Sequence, residues 1–280
     1  MKLLRHGPPG AERPGLYAAD GTLRDLTGLV PDIAGAVLSD AGLAMLRALD
    51  PRSLPALPPD TRIGPCVGGT GKFVCIGLNY ADHAAETGAR VPPEPVIFMK
   101  ATSAIAGPND DLPIPRGSEK TDWEVELAVV IGRTARHVAQ SDALSHVAGY
   151  AVANDVSERA FQTEHEGQWT KGKSCDGFGP LGPWLVTRDE VPDPQDLALW
   201  CEVNGARVQD GSTRTMVYGV AHVVSYLSRF MSLHPGDVIS TGTPPGVGMG
   251  MKPPLFLKAG DRIRLGVAGL GEQCQTCVAG

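Results

Sequence analysis

The sequence predicts an α+β protein that is mostly β, with a core built as a β-rich sandwich or roll and a few helices. From Lys72 onward, short β-branched runs recur between Gly, Pro and Asp residues, a pattern typical of strands joined by turns. The Asn204-Gly205 pair lies between two alternating segments and is a strong hairpin signal. One clear long helix is predicted over Tyr218 to Met231. Strands and helices do not alternate regularly, so a doubly wound fold is disfavoured. The predicted strands are KFVCIGL, PVIFMK, VELAVVIG, AGYAVANDVS, LWCEVNGARVQ, DVISTGT and DRIRLGV.

Residues 1–65 are patterned differently and predict a small N-terminal α+β domain. A hairpin is expected around Asp20-Gly21, and a helix is expected to begin after Ser39. The proline-rich stretch PRSLPALPPDTRIGP then predicts a linker. The polar residues of this part are dispersed, so we expect the chemistry to lie in a second domain formed by residues 66–280.

Composition narrows the classes of partner. The chain has 280 residues, of which 42% are hydrophobic and 20% charged, as expected of a globular protein with a substantial core. Its net charge of −6 and its lack of Lys/Arg runs argue against a nucleic-acid surface. The opening MKLLRHGPPG does not resemble a secretory signal, and the most apolar helical segment is too short to span a bilayer. We therefore expect a cytoplasmic protein whose partner is a small molecule or a second copy of itself.

The six cysteines are scattered along the chain, which favours reduced thiols over a disulfide framework. Cys274 and Cys277 form a C-x-x-C motif, but no second Cys or His pair lies nearby in the sequence to complete a zinc site. Zinc binding or redox chemistry at this motif is therefore disfavoured.

The most informative pattern is the E-x-E of TDWEVELAVVIG. Glu124 and Glu126 lie two apart on a predicted strand and so project from the same face. Asp155 follows another apolar segment and could complete a site of three carboxylates. Such an oxygen-only set suits a hard divalent ion such as Mg²⁺, Mn²⁺ or Ca²⁺. The alternative is a solvated strand face, which spacing alone does not exclude.

A glycine-rich segment, TGTPPGVGMG, follows a predicted strand at residues 241–250. It lacks the Gly-Lys-Ser/Thr of a phosphate-binding loop, and the sequence after it begins a helix poorly. A loop that approaches a ligand closely at a pocket rim fits these glycines better.

Five motifs in this order and spacing resemble the fumarylacetoacetate hydrolase family. They are IGLNYADHAAE, TDWEVELAVVIG, NDVSER, KGKSCDGFGPLGP and ISTGTPPGVG. The similarity extends from about Lys72 to the C-terminus. The segments MKLLRHGPPG and DWEVELAVVIG are most similar to a bacterial branch that includes 2,4-diketo-3-deoxy-L-rhamnonate and L-fuconate hydrolases.

The resemblance implies a β-roll core with a small N-terminal domain, usually in a homodimer, and Mg²⁺ or Mn²⁺ as the cofactor. The metal ligands would be Glu124, Glu126 and Asp155. The catalytic residues would be Lys173 and a His83–Glu86 dyad, and the substrate would contact Tyr80, Arg159, Gln162 and Thr243. Cys175 and Gly177 stand where Phe and Thr are common in the family, which predicts an altered pocket shape with the chemistry retained.

Each implied residue has a simpler interpretation. His83 and Glu86 are three apart, so they share a helix face and could form an ordinary amphipathic turn. Lys173 could be a surface lysine beside Lys171, and Tyr80 could pack its ring with its hydroxyl in solvent. Arg159 could pair with Glu158 or Glu164 on a helix surface.

The activity implied by the resemblance is hydrolysis of a carbon–carbon bond in a 2,4-dioxo acid of the acylpyruvate type. A diketo acid from deoxysugar catabolism would yield pyruvate and a second acid such as lactate. The alternatives are decarboxylation of oxaloacetate, isomerisation or decarboxylation of a hydroxymuconate-type acid on the same metal site, and non-catalytic binding of a 2-oxo acid. Gly88 and the Pro92-Pro93 pair follow the dyad, which predicts a hinged lid over residues 80–92.

Overall fold

The computed structural model describes residues 1–86 and 91–280, except for the side chains of residues 83–85. The strands are β1 Lys2–His6, β2 Arg13–Tyr17, β3 Leu23–Asp25, β4 Phe73–Gly77, β5 Val96–Lys100, β6 Ile105–Ala106, β7 Leu112–Ile114, β8 Thr121–Asp122, β9 Val125–Ile131, β10 Val147–Asn154, β11 Ser157–Glu158, β12 Gly179–Pro180, β13 Leu185–Thr187, β14 Ala198–Val203, β15 Ala206–Ser212, β16 Val238–Ser240, β17 Arg262–Val267 and β18 Gly271–Ala279. The α-helices are α1 Asp40–Arg47, α2 Ala81–Glu86, α3 Trp169–Lys173 and α4 Val220–Leu227. A π-helical turn covers Ala160–Glu164, and short 3₁₀ turns cover Gly35–Leu38, Pro51–Ser53, Thr102–Ala104, Ala143–His146, Arg188–Glu190, Thr213–Thr215 and Gly248–Gly250.

Two mixed sheets form the body of the protein, which confirms the mostly-β prediction. The larger sheet has the order β3-β2-β1-β13-β10-β9-β16-β4-β5, and the smaller has the order β15-β14-β17-β18-β7. In the larger sheet β16 runs parallel to β4 and antiparallel to β9. The strand order does not follow the chain order, because crossovers bring distant segments together at the centre of the sheet.

Strand β9 is buried on both faces, which explains its nearly continuous apolar sequence. Leu127, Val129 and Ile131 pack in the core shared with the smaller sheet and α4. Ala128 and Val130 point the other way, into a second core that includes the N-terminal residues. The start of β9 is therefore held rigidly from both sides.

The N-terminal strands continue the larger sheet. Strand β1 pairs with β13, and β2 pairs with β3 in the hairpin predicted around Asp20-Gly21. Helix α1 begins where predicted, with the Ser39 hydroxyl accepting a hydrogen bond from the Gly42 amide at 3.2 Å. The domain boundary at residue 65 stays a prediction, although the two predicted units share a sheet and a core.

Two local predictions in the second half of the chain, a hairpin and a helix, can be compared with the structure. The Asn204-Gly205 hairpin is confirmed between β14 and β15, with φ values of 51° and 83° that suit a two-residue turn. Helix α4 covers only Val220–Leu227 of the longer helix that was predicted. It begins after Gly219, and its end is marked by Ser228, whose hydroxyl donates to the Ser225 carbonyl.

The described residues include all six cysteines and every helix that could be tested as a membrane span. All six cysteines are free thiols, and Cys274 and Cys277 lie three apart on β18. Positions three apart on a strand face opposite ways, and accordingly Cys277 is buried while Cys274 is partly exposed. No helix within the described ranges is long and apolar enough to cross a bilayer.

One edge of the larger sheet gathers several strand ends. Strands β4, β10 and β16 all end at this edge, and β9, which is antiparallel to β10 and β16, begins there. Side chains just before β9 and just after β10 must therefore meet, because register places Val125 opposite Asn154.

Candidate active site

Three carboxylates converge at this sheet edge. Glu124, Glu126 and Asp155 each offer an oxygen, and these oxygens lie within 4.8 Å of one another. All three side chains are buried, with exposures of 6%, 2% and 0%. The solvated-face interpretation of the E-x-E pattern is therefore wrong.

The backbone explains why these residues meet. Glu126 lies opposite Ala153 in the β9–β10 ladder, and the Asp155 amide donates to the Glu124 carbonyl at 2.9 Å. The Glu124 amide in turn donates to the side-chain oxygen of Asn154 at 3.2 Å. Residues 123–124 lie between β8 and β9 and belong to neither strand. The two hydrogen bonds of the Glu124 backbone tie this segment to the end of β10.

Lys173 lies at the end of α3 with its ammonium between two of the carboxylates. Its Nζ is 2.7 Å from Glu124 Oε2 and 2.9 Å from Asp155 Oδ2. The side chain is buried, so its interpretation as a surface lysine is wrong. Burial opposes the ammonium charge, but Asp155 and Glu124 outweigh burial and raise the pKa of Lys173.

Lys100 is a second buried ammonium that the sequence analysis did not single out. It ends β5, donates to Asp155 Oδ1 and to the Val156 carbonyl, and is 1% exposed. Asp155 is thus held between two lysines, whose ammonium groups fix the orientation of its buried carboxylate.

Arg159 is buried against the site and does not lie on a helix surface. Its Nε donates to Asp122 Oδ2 at 2.9 Å, its Nη2 lies 2.7 Å from Glu124 Oε1, and its Nη1 donates to Gln162 Oε1 at 3.0 Å. The predicted alternative of pairs with Glu158 or Glu164 is wrong, since Glu164 pairs with Lys120 instead. Burial opposes the guanidinium charge, but Glu124 and Asp122 outweigh it and raise the pKa of Arg159.

Glu126 differs from its neighbours because no described cation contacts it. Its Oε2 accepts hydrogen bonds from the Ser240 hydroxyl at 2.6 Å and the Gly242 amide at 2.7 Å. Burial raises the pKa of Glu126 well above its usual range, and Asp155 and Glu124 add to the rise.

The charge balance and donor set fit a divalent cation. Four carboxylates, counting Asp122, face the ammonium groups of Lys100 and Lys173 and the guanidinium of Arg159 among the described residues. Glu126 is the carboxyl group left without a cationic partner among the described residues, and a bound cation would favour its ionised form. Oxygen-only donors at this spacing are those that Mg²⁺ and Mn²⁺ prefer.

A cavity of about 240 Å³ opens over the carboxylates. It is lined by Ile76, Gly77, Leu78, Phe98, Glu124, Glu126, Arg159, Gln162, Thr163, Trp169, Lys173, Gly242, Thr243 and Met249. The predicted contact residues Arg159, Gln162 and Thr243 are thus brought together with the carboxylates. Tyr80 is buried but does not line the cavity, and its hydroxyl has no hydrogen-bond partner among the described residues.

The predicted His83–Glu86 dyad lies on α2, directly after β4. The side chain of His83 lies outside the described residues. Residues 87–90 of the predicted lid also lie outside them. The Glu86 carboxylate is described, and it accepts hydrogen bonds from the Gly246 amide at 3.0 and 3.1 Å. The glycine-rich segment thus holds the end of α2, and through Gly242 and Thr243 it also forms part of the cavity rim.

Two further buried residues, Asp122 and Gln209, were not predicted from the sequence but hold parts of the site together through hydrogen bonds. Asp122 accepts from the Gly248 amide at 2.7 Å and the Met249 amide at 3.0 Å, besides pairing with Arg159. Gln209 on β15 accepts from the Val125 amide at 3.0 Å and donates to Thr243 Oγ1 at 2.8 Å. Both join the carboxylate strand to the glycine-rich segment.

A signal for Asp122 was present in the sequence. Asp122, Glu124 and Glu126 alternate, so the E-x-E pattern was part of a longer D-x-E-x-E pattern. Lys100 and Gln209 gave weaker signals. Lys100 is a single polar residue at the end of an apolar strand, and Gln209 is one of several polar residues on β15.

Comparisons with known proteins agree on one family. The family model described as the fumarylacetoacetate (FAA) hydrolase C-terminal domain matches residues 72–278. A protein of Burkholderia multivorans named "Putative hydrolase" is 66% identical over 276 residues, which are 98% of this chain and 98% of that protein.

Two solved structures are similar over the whole chain. Maleylpyruvate hydrolase from Sphingobium sp. SYK-6, in complex with manganese(II) ion and pyruvate, is 31% identical with a TM-score of 0.82, covering 100% of both chains. The 2-hydroxyhepta-2,4-diene-1,7-dioate isomerase of Mycobacterium marinum is 33% identical with a TM-score of 0.76, covering 100% of this chain and 98% of the other.

Proposed function

Because the chain belongs to the fumarylacetoacetate hydrolase family, we propose that it hydrolyses a carbon–carbon bond of a 2,4-dioxo acid to pyruvate and a second carboxylic acid. The observation that carries this proposal is the buried group of Glu124, Glu126 and Asp155, with the Lys173 ammonium against it and with Glu124, Glu126 and Lys173 lining a cavity. Among 2,4-dioxo acids, the proposal favours a deoxysugar-derived acid such as 2,4-diketo-3-deoxy-L-rhamnonate or L-fuconate, with lactate as the second product of the rhamnonate.

The three carboxylates would hold Mg²⁺ or Mn²⁺, and the manganese-bound maleylpyruvate hydrolase supports this choice. When bound, the ion would supply Lewis-acid polarisation of the carboxylate and keto oxygens of a chelating 2-oxo acid. Lys173 and Arg159 contact Glu124, and Lys173 and Lys100 contact Asp155, so both side chains are already held in position at the proposed metal site.

His83 would act as the general base. It would take a proton from the water that attacks the C4 carbonyl of the substrate. Glu86 would orient the imidazole. Its carboxylate is held by the amide of Gly246, which belongs to the glycine-rich segment that borders the cavity through Gly242 and Thr243. In this proposal α2 and residues 87–92 close over the bound substrate and bring His83 to the water.

Lys173 would stabilise the leaving group. Collapse of the tetrahedral adduct breaks the C3–C4 bond and leaves the electron pair on the enolate of pyruvate, which then takes a proton at C3. The Lys173 ammonium is charged at neutral pH because its carboxylate partners raise its pKa, so it supports the developing negative charge. Arg159, Gln162 and Thr243 line the cavity and would position the substrate. Tyr80 would be a fourth substrate contact, as the family resemblance implies.

The test is a panel of 2,4-dioxo acids assayed for pyruvate release with Mg²⁺ or Mn²⁺. His83→Ala is expected to abolish turnover while the variant still binds metal and oxalate, and Glu86→Gln is expected to reduce it. Unchanged activity in His83→Ala would remove the dyad from the mechanism. Rapid release of carbon dioxide from oxaloacetate, with acylpyruvates left intact, would overturn hydrolysis.

A second candidate is isomerisation or decarboxylation of a hydroxymuconate-type acid on the same site. The similarity to the 2-hydroxyhepta-2,4-diene-1,7-dioate isomerase supports it. Neither reaction consumes water, whereas hydrolysis transfers one oxygen from water to the second acid. Mass spectrometry of the products in ¹⁸O-labelled water therefore separates the two candidates.

We also propose that the chain forms a homodimer, as the family resemblance implies. Light scattering on a sizing column tests this, because a dimer has twice the 29.4 kDa mass of the chain.

A further inference from the structure

We infer that Tyr218 is a positioning residue for the proposed reaction, because it holds both ends of the segment that carries the proposed dyad. This dyad segment, residues 80–91, contains His83 and Glu86. The inference rests on the proposed function, since the dyad is the group that would be positioned. It comes from contacts made by the described residues on either side of the segment.

Asn79, directly before the dyad segment, is bound to the backbone of Tyr218. Its side-chain oxygen accepts from the Tyr218 amide at 2.8 Å, and its side-chain nitrogen donates to the Tyr218 carbonyl at 3.0 Å. The same nitrogen donates to the Thr241 carbonyl at 2.7 Å, and the Asn79 carbonyl accepts from the Val217 amide at 2.8 Å. Asn79 is 1% exposed, so breaking these bonds would leave buried polar groups unsatisfied.

The turn into the dyad segment is held against the preference of its own backbone. Leu78, which lines the cavity, has a φ of 53°, in the left-handed region that side chains other than glycine rarely adopt. Such a conformation persists only where the surrounding contacts determine it. The bonds from the adjacent Asn79 to residues 217, 218 and 241 are contacts of this kind.

Pro92, directly after the dyad segment, is bound to the side chain of the same tyrosine. The Tyr218 hydroxyl donates to the Pro92 carbonyl at 2.6 Å. The two ends of the dyad segment are therefore joined through a single residue. Holding the ends of a segment together reduces its conformational freedom, so less ordering is left for the catalytic step.

Packing fixes the direction of the Tyr218 ring. The ring stacks on that of His222 on α4, with centroids 5.0 Å apart and planes 24° apart. Tyr218 also packs on the core that the smaller sheet shares with α4. The hydroxyl is thus aimed by the start of α4, and the segment that it holds does not set its direction.

The two end contacts can be separated by mutation. The bonds to Asn79 are made by the backbone of Tyr218, whereas the bond to Pro92 is made by its hydroxyl. Tyr218→Phe therefore removes the second contact and keeps the first. Because displacement of a catalytic group by about 1 Å can cost about 100-fold in rate, the loss of one end should have a measurable effect.

The test measures kcat and binding separately in Tyr218→Phe. We expect kcat for pyruvate release to fall by about tenfold, because the dyad segment is then held at one end only. The affinities for Mn²⁺ and for oxalate, measured by calorimetry, should change by less than about twofold, because the three carboxylates and Lys173 keep their contacts. General damage to the fold would lower kcat and both affinities together.

Tyr226→Phe is the matched control on the same helix. The Tyr226 hydroxyl donates to Glu94 Oε2 at 2.9 Å, so the same group is removed from a bond to a side chain that lies outside the dyad segment. We expect kcat of this variant to match the wild type. An unchanged kcat in Tyr218→Phe, equal losses in the two variants, or a loss of Mn²⁺ affinity as large as the loss of kcat would overturn the positioning role.

A double-mutant cycle links the effect to the dyad. Glu86→Gln weakens the dyad directly, so Tyr218→Phe should lower kcat less in this background than in the wild type. Losses that multiply in full would mean that Tyr218 acts on another part of the site, and they would overturn the inference.

Hydrogen exchange keeps the two claims apart. Backbone amides of residues 80–91 should exchange faster in Tyr218→Phe than in the wild type or in Tyr226→Phe. If the wild type cleaves no 2,4-dioxo acid but this difference is seen, the proposed reaction fails and the anchoring of the segment stands. If the wild type cleaves the acid and all three proteins have equal kcat and equal exchange, the reaction stands and the anchoring fails.

Discussion

At the scale of single residues, the site is a buried network of charges in which each described cation holds more than one acceptor. Lys173 shows this most clearly, because its ammonium contacts both Glu124 and Asp155. Such a network is stable only while its charges are balanced, since a buried carboxylate without a partner is costly. Individual residues of the site should therefore affect stability as well as turnover.

Lys173→Met tests this link. We expect turnover to fall by at least about 100-fold, because the charge that stabilises the leaving enolate is lost. We also expect the free energy of unfolding to fall by about 3 kcal/mol without metal, because Glu124 and Asp155 each lose one of their two cationic partners. Urea unfolding with and without Mn²⁺ measures the second effect, and Mn²⁺ should recover part of the loss.

The control for this variant is Lys171→Met, two positions earlier on the exposed side of the same helix. It should leave both turnover and unfolding nearly unchanged. A Lys173→Met protein as active and as stable as the control would contradict the charge network.

Gln209→Leu tests a residue that acts through others. The variant leaves the Val125 amide without its acceptor and removes the hydrogen bond to Thr243 Oγ1, so we expect a loss of about 1–3 kcal/mol in the free energy of unfolding. KM should also rise, because Thr243 lines the cavity. Gln140→Leu, on the exposed surface, is the matched control and should change stability by less than about 0.5 kcal/mol. Equal unfolding of the two variants would show that Gln209 does not brace the site.

The sequence predicted the residue types at the site better than their partners. Glu124 and Glu126 follow from alternation on a strand, Asp155 follows from its place at the end of an apolar segment, and the resemblance added Lys173. Lys100 and Gln209 could not be predicted in the same way, because their partners are 55 and 84 residues away along the chain. Contacts at that separation are set by strand order, which local patterns do not encode.

At the scale of elements, the contact between β4 and α3 shapes the cavity wall. Gly77 ends β4, and the ring of Trp169 at the start of α3 lies where a Cβ at residue 77 would be. Trp169 in turn packs on Phe98 of β5. Three elements are thereby fixed relative to one another around the substrate cavity.

Gly77→Ala is expected to displace Trp169, because the added methyl would approach its ring within 2.5 Å. We expect a loss of about 1–3 kcal/mol in the free energy of unfolding and a higher KM. A double-mutant cycle with Trp169→Ala supplies the control, since Gly77→Ala should cost much less once the ring is absent. An equal cost in both backgrounds would mean that the strain arises elsewhere.

Elements were predicted with differing success for physical reasons. Turns and caps are local, so the Asn204-Gly205 hairpin and the Ser39 cap of α1 are confirmed. Helix α4 is shorter than predicted. The apolar pattern of the sequence continues past Ser228, but there the backbone leaves the helix and forms a tighter turn. The start of β9 was also hard to predict, because the chain passes there from the two-stranded β8–β11 sheet into the larger sheet.

At the scale of the whole molecule, strand crossovers create the site. The sequence predicted a mostly-β fold, but the order β10-β9-β16-β4 could not be inferred from local patterns. This order places the ends of β4, β10 and β16 beside the start of β9, and their flanking residues form the site. The N-terminal strands extend the same sheet, because β1 pairs with β13, which is the neighbour of β10.

The proposed metal also links the whole fold to the site. Three ligands at the start of β9 and the end of β10 would be joined by one ion, so binding should stabilise the folded chain by mass action. We expect the melting temperature to rise on addition of Mg²⁺ or Mn²⁺ and to return to its starting value with a chelator. Glu126→Gln should remove most of this rise, because it weakens the ligand set at the position that lacks a described cation.

The most direct test of the central claim is the product balance of one assay, in which an acylpyruvate is incubated with the protein and Mg²⁺ in ¹⁸O-labelled water. The account predicts one pyruvate and one second acid for each substrate consumed, with the label in the second acid and with turnover lost in chelator or in His83→Ala. Turnover that gives carbon dioxide or an isomer in place of pyruvate, or that persists in chelator, would contradict it.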